Sequence, residues 1–326
     1  MKTPPTLREI ARRAGCSHIT VSRALRGAPG VSEKRAARIR ELADEMGFET
    51  NPLVAAWMRH IRKGNENLRA NLALLSGFSS AESKKHKPTV EIFRGAESVA
   101  KKMGSNLTMF SPEDLSARAP HRQLIARAVQ GVLVGPAPYH TPCPAMDWGL
   151  FSVVALGRSY PELRVDRVAS DSFGTMQHAL DLAAQLGADS PVLILDPERD
   201  ERLRFEFSAA FLQKAPTASR SRIFPWTGQA EKLKTWLGKR QPGAIVCTEH
   251  SALPHLTQNV PVIVLGGPDP GKGIYYFPRD FDQLGVAAME ALSAKVIRNE
   301  RGLSRSPRTI LIEELTPTRD RAVSRS

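Results

Sequence analysis

The N-terminal part of the chain carries three short runs of apolar positions at helical spacing. Leu7, Ile10, Ala11 and Ala14 lie three or four residues apart, on one face of an α-helix that Gly15 is expected to end. The next two runs predict two more helices with inward-facing stripes of Val21, Ala24 and Leu25, and of Ile39, Leu42, Ala43 and Met46. The pattern therefore predicts three helices packed around one small core.

Polar residues mark where these helices begin. Thr6 and Glu9 form a T-x-x-E capping box, in which the two side chains satisfy free amides at a helix start. Ser17 is expected to cap the second helix, and Ser32 to begin the third. Two short helices joined by a tight turn and braced by a third form a helix-turn-helix arrangement. The second helix of such a unit enters the major groove of DNA.

The second predicted helix carries side chains suited to that task. Arg23 can donate two hydrogen bonds to guanine, His18 can bond a base or a phosphate, and Ile19 can contact a thymine methyl. Thr20 and Ser22 suit phosphate contacts that set the register on the duplex. The alternative is a three-helix packing module with a solvated basic face. An isoleucine on the outer face counts against that alternative.

Beyond residue 70, short apolar runs alternate with amphipathic stretches. Strands are predicted at 72–75, 106–110, 131–134 and 151–156, then at 191–195, 244–247 and 261–265, with helices at 90–104 and 122–130. Alternation of this kind predicts parallel sheets joined by right-handed crossovers. The two series predict an α/β core of two lobes, with a ligand cleft where strand ends converge.

Charge strengthens the interpretation of the N-terminal head. The chain has a net charge of +13, and residues 1–64 hold 13 Lys and Arg against 6 Asp and Glu. A basic head on a milder body favours a polyanion as partner. No apolar run reaches the roughly 18 residues of a membrane helix, and the N-terminus has no apolar signal stretch. A cytoplasmic protein without membrane contact is expected.

Cysteines and histidines form no metal-binding pattern in the sequence. Cys16, Cys143 and Cys247 lie far apart and are expected to be reduced thiols. His250 and His255 lack the H-E-x-x-H spacing that places two ligands on one helix face. Neither a catalytic metal nor a cofactor is expected.

The segment "TLREIARRAGCSHITVSRALRGAPGVSEKRAARIRELADEMGFETNP" resembles the N-terminal domain of lactose-repressor-type (LacI/GalR) transcriptional regulators. An A-x-x-A-G-x-S-x-x-T-V-S-R motif runs from Ala11 to Arg23, and a G-[YF]-x-x-N exit falls at Gly47, Phe48 and Asn51. In the family the second helix reads the operator, which the resemblance assigns here to His18, Ile19 and Arg23.

The resemblance implies an all-α helix-turn-helix head at residues 1–48 and a hinge with a connector at 49–66. A two-lobe, periplasmic-binding-protein-like α/β core follows at 67–326, where "FRGAESVAKKMG", "FDQLGVAAMEAL" and "ILIEELT" are the best-preserved pieces. It further implies a homodimer that binds a near-palindromic double-stranded DNA operator. The operator affinity would be set by a small-molecule effector in the cleft of the core.

The hinge segment "NPLVAAWMR" (51–59) is too short to persist as a helix alone in water. The resemblance implies that two hinges fold together on DNA and press an apolar wedge into the minor groove, which bends the duplex. The wedge position falls on Trp57, with Asn51 and Leu53 as further DNA contacts, while Ala55 replaces the family's arginine. The alternative packs Leu53 and Trp57 on the core.

The effector positions depart from the family pattern. Leu203 stands at the family's arginine position between two other arginines, and Glu206 replaces a glycine. The candidate ligand-binding residues are Arg158, Asp171, Arg202, Arg204, Trp226, Glu249, His250 and Asp269. The arginines favour an acidic or phosphorylated ligand, whereas a tryptophan face suits stacking on a carbohydrate. Trp226 has a core position as its alternative, and Asp171 a structural role.

One segment fits a nucleotide-binding motif in part. "GGPDPGKG" (266–273) matches G-x-x-x-x-G-K, but Gly273 stands where a magnesium-binding Ser or Thr is needed, and two prolines remove amides. A Gly/Pro turn after a strand is the simpler interpretation. Three hypotheses follow: a regulator with an effector, a DNA-binding regulator with a ligandless dimerisation core, and a nucleotide hydrolase. The first is favoured, and no enzymatic activity is expected.

Overall fold

The computed structural model describes residues 7–25, 31–46, 70–115, 119–215, 219–256 and 259–313. The chain divides into two compact units: Met1–Val168 with Phe281–Thr309, and Ala169–Asp280 with Ile310–Ser326. The expected hinge, and with it the candidate DNA contacts Thr6, Asn51, Leu53 and Trp57, lies outside the described residues.

Three helices form the head, as the apolar pattern predicts. They are α1 (Leu7–Arg13), α2 (His18–Leu25) and α3 (Glu33–Glu45). Their shared core is centred on Ile10, Val21 and Ile39, each at most 2% exposed. Gly15, in the turn between α1 and α2, has a φ of +59°, a left-handed conformation that glycine adopts without strain. The prediction of a helix-turn-helix head is confirmed.

Six strands form the first sheet of the described chain. They are β1 (Asn71–Leu75), β2 (Asn106–Phe110), β3 (Val129–Val134), β4 (Ser152–Leu156), β5 (Asp166–Ser170) and β11 (Thr309–Ile312). Their order in space is β11-β5-β4-β3-β1-β2. The pairings of β1 with β2 and β3, of β3 with β4, and of β4 with β5 are parallel. Besides the three helices of the head, the first unit contains α4 (Ser80–Lys85), α5 (Lys87–Lys102), α6 (Pro120–Ala126) and α11 (Phe281–Ile297).

Two glycines let α5 and α11 approach closely. Gly95 lies against the backbone carbonyl of Asp282, and Gly285 lies against the backbone carbonyl of Ile92. A Cβ at either position would collide with main-chain atoms of the other helix, which cannot move as a flexible side chain can. The α5–α11 contact therefore depends on glycine at both positions, and α11 also covers β3 and β4.

Five parallel strands form the second sheet of the described chain. They are β6 (Pro191–Leu195), β7 (Ile223–Pro225), β8 (Ala244–Cys247), β9 (Val262–Leu265) and β10 (Tyr275–Phe277), in the spatial order β10-β9-β8-β6-β7. The helices of this unit are α7 (Ser172–Gln185), α8 (Pro197–Arg202), α9 (Glu206–Lys214) and α10 (Ala230–Arg240). One apolar cluster contains Phe207 and Phe211, and a second contains Phe224 and Trp226. Because β6, β8 and β9 are buried on both faces, they occur as continuous apolar runs.

The structure corrects one predicted element and adds four strands. The helix expected at 122–130 is α6, which ends at Ala126, because Ala128 has a φ of +52° and Val129 already begins β3. The added strands β5, β7, β10 and β11 are short or contain polar residues, so the apolar pattern does not mark them. Among the described residues, no helix combines the length and the apolar composition needed to cross a membrane.

Candidate functional site

Ser17 fixes the start of α2. Its Oγ accepts the backbone amide of Thr20 at 3.1 Å and lies 2.9 Å from Thr20 Oγ1. The Ser17 carbonyl accepts the amide of Val21 at 3.1 Å. A serine at this position satisfies an amide that has no partner within the helix. The predicted cap is confirmed, and it holds the end of α2 that carries the candidate base contacts.

The candidate reading positions lie on α2 itself. Val21 and Ala24 are buried in the head, at 0% and 1% exposure. Positions 18, 19, 22 and 23 of the same helix alternate with these two at helical spacing. The assignment of His18, Ile19, Ser22 and Arg23 as DNA contacts stays a prediction.

A basic face on α3 has no counterpart among the residues predicted from the sequence. Lys34, Arg38 and Arg40 line a shallow, open groove on this helix. Arg40 Nη1 lies 3.3 Å from Glu33 Oε1, and Arg38 Nη1 lies 3.9 Å from Glu41 Oε2. Exposed ion pairs of this kind contribute little to the stability of the fold. These arginines can therefore exchange an acidic neighbour for a phosphate. The segment "EKRAARIR" was the signal in the sequence.

Acidic candidates in the second unit hold local backbone. Asp171 caps α7, where its Oδ1 accepts the amide of Gly174 at 2.9 Å. Glu249 Oε1 accepts the amide of Ser251 at 3.2 Å at the start of a short 3₁₀ helix, His250–His255. Asp269 Oδ1 accepts the amide of Gly271 at 2.9 Å. All three carboxylates therefore stabilise turns or helix starts.

Trp226 is a core residue in this structure. It is 6% exposed, packs in the apolar cluster with Phe224 and Leu233, and donates its indole N–H to Ser251 Oγ at 2.7 Å. Its ring also lies 5.7 Å from that of His255. This burial favours the core interpretation over stacking on a carbohydrate.

His250 lies against the backbone of the Gly/Pro loop. Its Nε2 is 2.6 Å from the carbonyl oxygen of Pro268, and its ring covers Gly267, where a Cβ would collide with it. Gly267 has a φ of +85°.

Burial raises the pKa of the nearby Cys247 thiol to about 12, so this thiol stays protonated and unreactive.

The candidate arginines differ in their exposure and in the elements that they follow. Arg202 ends α8 and is half-buried, whereas Arg204 is exposed and has a φ of +59° in the turn before α9. Arg158 belongs to the first unit, where it follows Gly157 at the end of β4 and is half-buried. Sequence reasoning missed Arg199 and Arg279, which the structure brings together beside Gly266.

The Gly/Pro loop does not form a phosphate-binding loop. Residues 266–273 follow β9 and lead into β10, whereas a phosphate-binding loop opens a helix whose first amides face the phosphates. This geometry removes the observation on which the nucleotide-hydrolase hypothesis rested.

Residues 6–51 match the family model "Bacterial regulatory proteins, lacI family". HTH-type transcriptional regulator GntR of Pseudomonas aeruginosa is 54% identical over 52 residues, which cover 16% of this chain and 15% of that protein. HTH-type transcriptional regulator PtxS of Pseudomonas putida is 24% identical over 328 residues, which cover 92% of this chain and 91% of that protein. The first likeness is confined to the head, and the second spans head and core.

Solved structures share the fold. The transcriptional regulator CelR in complex with cellobiose has a TM-score of 0.53 at 17% identity, over 95% of this chain and 97% of that chain. The lac repressor dimer bound to operator and the anti-inducer ONPF has a TM-score of 0.51 at 15% identity, over 95% and 96%. The capped α2 in a three-helix head, the two parallel sheets that follow it in the chain and these relatives lead to one conclusion. Residues 6–51 are a head of the lacI family of bacterial regulatory proteins, and the core that follows has the fold of solved lacI-type transcriptional regulators.

Proposed function

We propose that this regulator reads a near-palindromic DNA operator through α2. The observation that carries the proposal is the capped start of α2, where Ser17 holds the amide of Thr20 while Val21 and Ala24 fill the core. Such a helix is fixed in the head and leaves positions 18, 19, 22 and 23 for base and phosphate contacts. The basic face of α3 adds positive charge to the same head.

Two copies of the chain bind together in this proposal. A head of three helices reads one half-site, so a palindromic operator requires two heads related by a two-fold axis. The lac repressor solved with its operator is a dimer, which supports the same arrangement for this chain. The target is chromosomal DNA, and the proposed location is therefore the cytoplasm.

The core binds a small polar effector that sets operator affinity. CelR is solved with cellobiose, and its likeness to this chain extends over the second sheet. The carboxyl ends of parallel strands are where such folds bind ligands. For this chain the carboxyl ends of β6, β8, β9 and β10 supply the polar residues. An effector acts on operator affinity only if it binds the DNA-bound and free forms unequally.

Selection of duplexes from a random pool with the full-length protein tests the DNA-binding proposal. The expected result is enrichment of an inverted repeat of two short half-sites. Measured affinity for the selected site should fall steeply with salt, because each phosphate that the protein neutralises releases a counterion from the duplex. Recovery of duplexes without a common sequence would refute specific recognition.

A second candidate is a regulator with a ligandless dimerisation core. The observation that favours it is the structural use of Asp171, Glu249 and Trp226, which cap helices or fill the core. This candidate predicts that no small molecule changes the operator affinity or the melting temperature of the protein. A ligand at 100 times its dissociation constant adds about 2.7 kcal/mol of stability, so a thermal-shift panel separates the two candidates.

A further inference from the structure

Four neighbouring strands of the second sheet contribute residues to one spot. Arg199 follows β6 on α8, Thr248 follows β8, Gly266 follows β9, and Arg279 follows β10. These strands lie side by side in the order β10-β9-β8-β6 and run parallel, so all four residues lie at the same edge of the sheet. The sequence separates Arg199 from Arg279 by 80 positions, and the strand order brings them together.

The two arginines meet over Gly266. The point where a Cβ of residue 266 would stand lies 2.9 Å from Arg279 Nε and 3.3 Å from Arg199 Nη2. Gly266 is buried and has a φ of +73°, so the position suits glycine both in space and in conformation. The absence of a side chain there leaves room for both guanidinium groups.

One aromatic ring supports both cations. The guanidinium carbons of Arg199 and Arg279 lie 5.7 Å and 5.9 Å from the centre of the Phe207 ring, which is 1% exposed. Cations are attracted to the face of an aromatic ring at this range. Arg199 Nη1 also donates to the carbonyl oxygen of Thr248 at 2.7 Å. Both groups are therefore held in position before any ligand arrives.

The charges around this pair favour an anion. Within the described part of the chain, Arg279 forms no ion pair with an acidic side chain. Two acids close to Arg199 in sequence accept backbone amides: Asp196 accepts the amide of Glu198 at 2.9 Å, and Asp200 accepts that of Ser208 at 3.3 Å. Two half-buried like charges repel, and an anion between them removes that repulsion. The planar guanidinium matches the geometry of carboxylate and phosphate.

A buried hydroxyl adjoins the pair. The Thr248 side chain is 1% exposed, and its Oγ1 makes no hydrogen bond within the described residues. The carbonyl of the same residue holds Arg199. A buried polar group without a partner is uncommon in proteins, and a ligand oxygen beside Arg199 would supply one.

We propose that Arg199 and Arg279 together bind the anionic group of the effector, a carboxylate or a phosphate on a small polar metabolite. This inference rests on the proposed effector function and names its ligand class. It also changes the residues concerned, because the sequence pattern points to Arg158, Arg202 and Arg204 for this role. Arg199 lies one helical turn before Leu203, the position where the family pattern places its arginine.

The test measures binding to the full-length protein at constant ionic strength, by calorimetry and by thermal shift. The probes are gluconate, glucose 6-phosphate, inorganic phosphate and sulfate, with glucose as the neutral match. The variants are Arg279→Gln, Arg279→Lys and, as a control, Arg220→Gln. Arg220 is an exposed arginine that precedes β7, the outermost strand on the other side of the same sheet. The control removes the same charge from the same unit.

At least one anionic probe should bind the parent and the Arg220→Gln variant at least tenfold more tightly than the Arg279→Gln variant. Arg279→Lys should recover part of the affinity, because lysine restores the positive charge but not the planar guanidinium that can donate two parallel hydrogen bonds. Glucose should show no such difference. Equal binding of glucose by the parent and Arg279→Gln, with no anion effect, would overturn the anion site and leave the effector function standing. If no probe distinguishes the parent from Arg279→Gln, the inference is also wrong, whereas the DNA-binding proposal is judged by the duplex selection alone.

Discussion

The hydroxyl of Ser17 accepts the backbone amide of Thr20, at 3.1 Å, at the first turn of α2. The Thr20 hydroxyl lies 2.9 Å from the same oxygen. One exposed serine thus sets both the start of the helix and the position of a neighbouring side chain proposed to touch phosphate. The relationship connects the stability of the head directly to its proposed function.

Replacing Ser17 by alanine removes this cap. A lost N-cap costs about 1 kcal/mol, so the amides of α2 should exchange with deuterium roughly fivefold faster, and operator affinity should fall. Ser17→Asp is the control, because aspartate also caps helices but adds a negative charge beside DNA. It should preserve the slow exchange and still weaken operator binding. Unchanged exchange in Ser17→Ala would show that the cap does not stabilise α2.

A buried ion pair makes stability depend on acid. Lys295 Nζ lies 3.2 Å from Asp166 Oδ2, and Arg308 donates to the same carboxylate from its backbone amide at 3.0 Å and from Nη2 at 2.9 Å. Burial alone would raise the pKa of Asp166, but the bonds from Arg308 and the charge of Lys295 outweigh it and hold that pKa below its usual value. Glu300 also faces Lys295, at 3.7 Å.

Because the pKa of Asp166 is lower in the folded chain than in the unfolded chain, its carboxylate stabilises the fold above the usual aspartate range. That contribution disappears as the pH falls through the folded value. Asp166→Asn should cost about 3 kcal/mol near pH 7 and progressively less in acid, measured by denaturant unfolding across pH. Asp181→Asn breaks an exposed pair with Lys214 and should cost at most about 1 kcal/mol. A cost for Asp166→Asn that does not vary with pH would contradict this account.

Two glycine substitutions should have opposite effects, because one glycine lies in the α5–α11 contact and the other has open space around it. Gly285→Ala places a Cβ against the carbonyl of Ile92 and should destabilise the protein by about 1–3 kcal/mol. Gly238→Ala, at an exposed position inside α10 with open space around its Cβ, should stabilise by about 0.5–1 kcal/mol. Denaturant unfolding of both variants checks the signs, and a stabilising Gly285→Ala would show that the two helices do not depend on their close approach.

The sequence predicts those elements whose defining residues lie close together along the chain. It does not predict those that depend on contacts between distant residues. The strand "PVLIL" is predicted within its bounds, because a central parallel strand is apolar on both faces. The strand "DRVAS" is not predicted. Its residues Asp166 and Arg167 are only 8% and 9% exposed, and the ion pairs and hydrogen bonds that compensate their burial leave no periodic pattern in the sequence. The head was accessible from sequence since its capping residues and apolar stripe lie within a few positions of each other.

The effector residues show the opposite case. Trp226 is a residue type that suits stacking on a carbohydrate, yet its indole N–H donates a hydrogen bond to Ser251 within the core. Arg199 and Arg279 carry no motif, and only the order of the strands brings them together beside Gly266. Such convergence of distant segments cannot be deduced from composition or spacing.

Trp57 belongs to the predicted hinge, and its proposed role gives a fourth prediction. If its indole enters the minor groove, stacking contributes about 1–3 kcal/mol by analogy with base–aromatic contacts, and the duplex bends. Trp57→Ala should then reduce the bend, measured by fluorescence transfer across the operator, and specific affinity, with non-specific binding nearly unchanged. An unchanged bend with a lowered melting temperature of the free protein would instead support packing of Trp57 on the core.

The measurement that tests the central claim most directly is the affinity ratio between the selected operator and a shuffled duplex of equal composition. It is taken at one salt concentration for the parent and for Arg23→Ala. The parent should favour the operator by about 10³-fold or more. Arg23→Ala should lose about 1–3 kcal/mol on the operator, with relaxed preference at one guanine in each half-site. A parent ratio near one, or an Arg23→Ala variant with unchanged affinity and preference, would contradict the assignment of α2 as the helix that reads DNA.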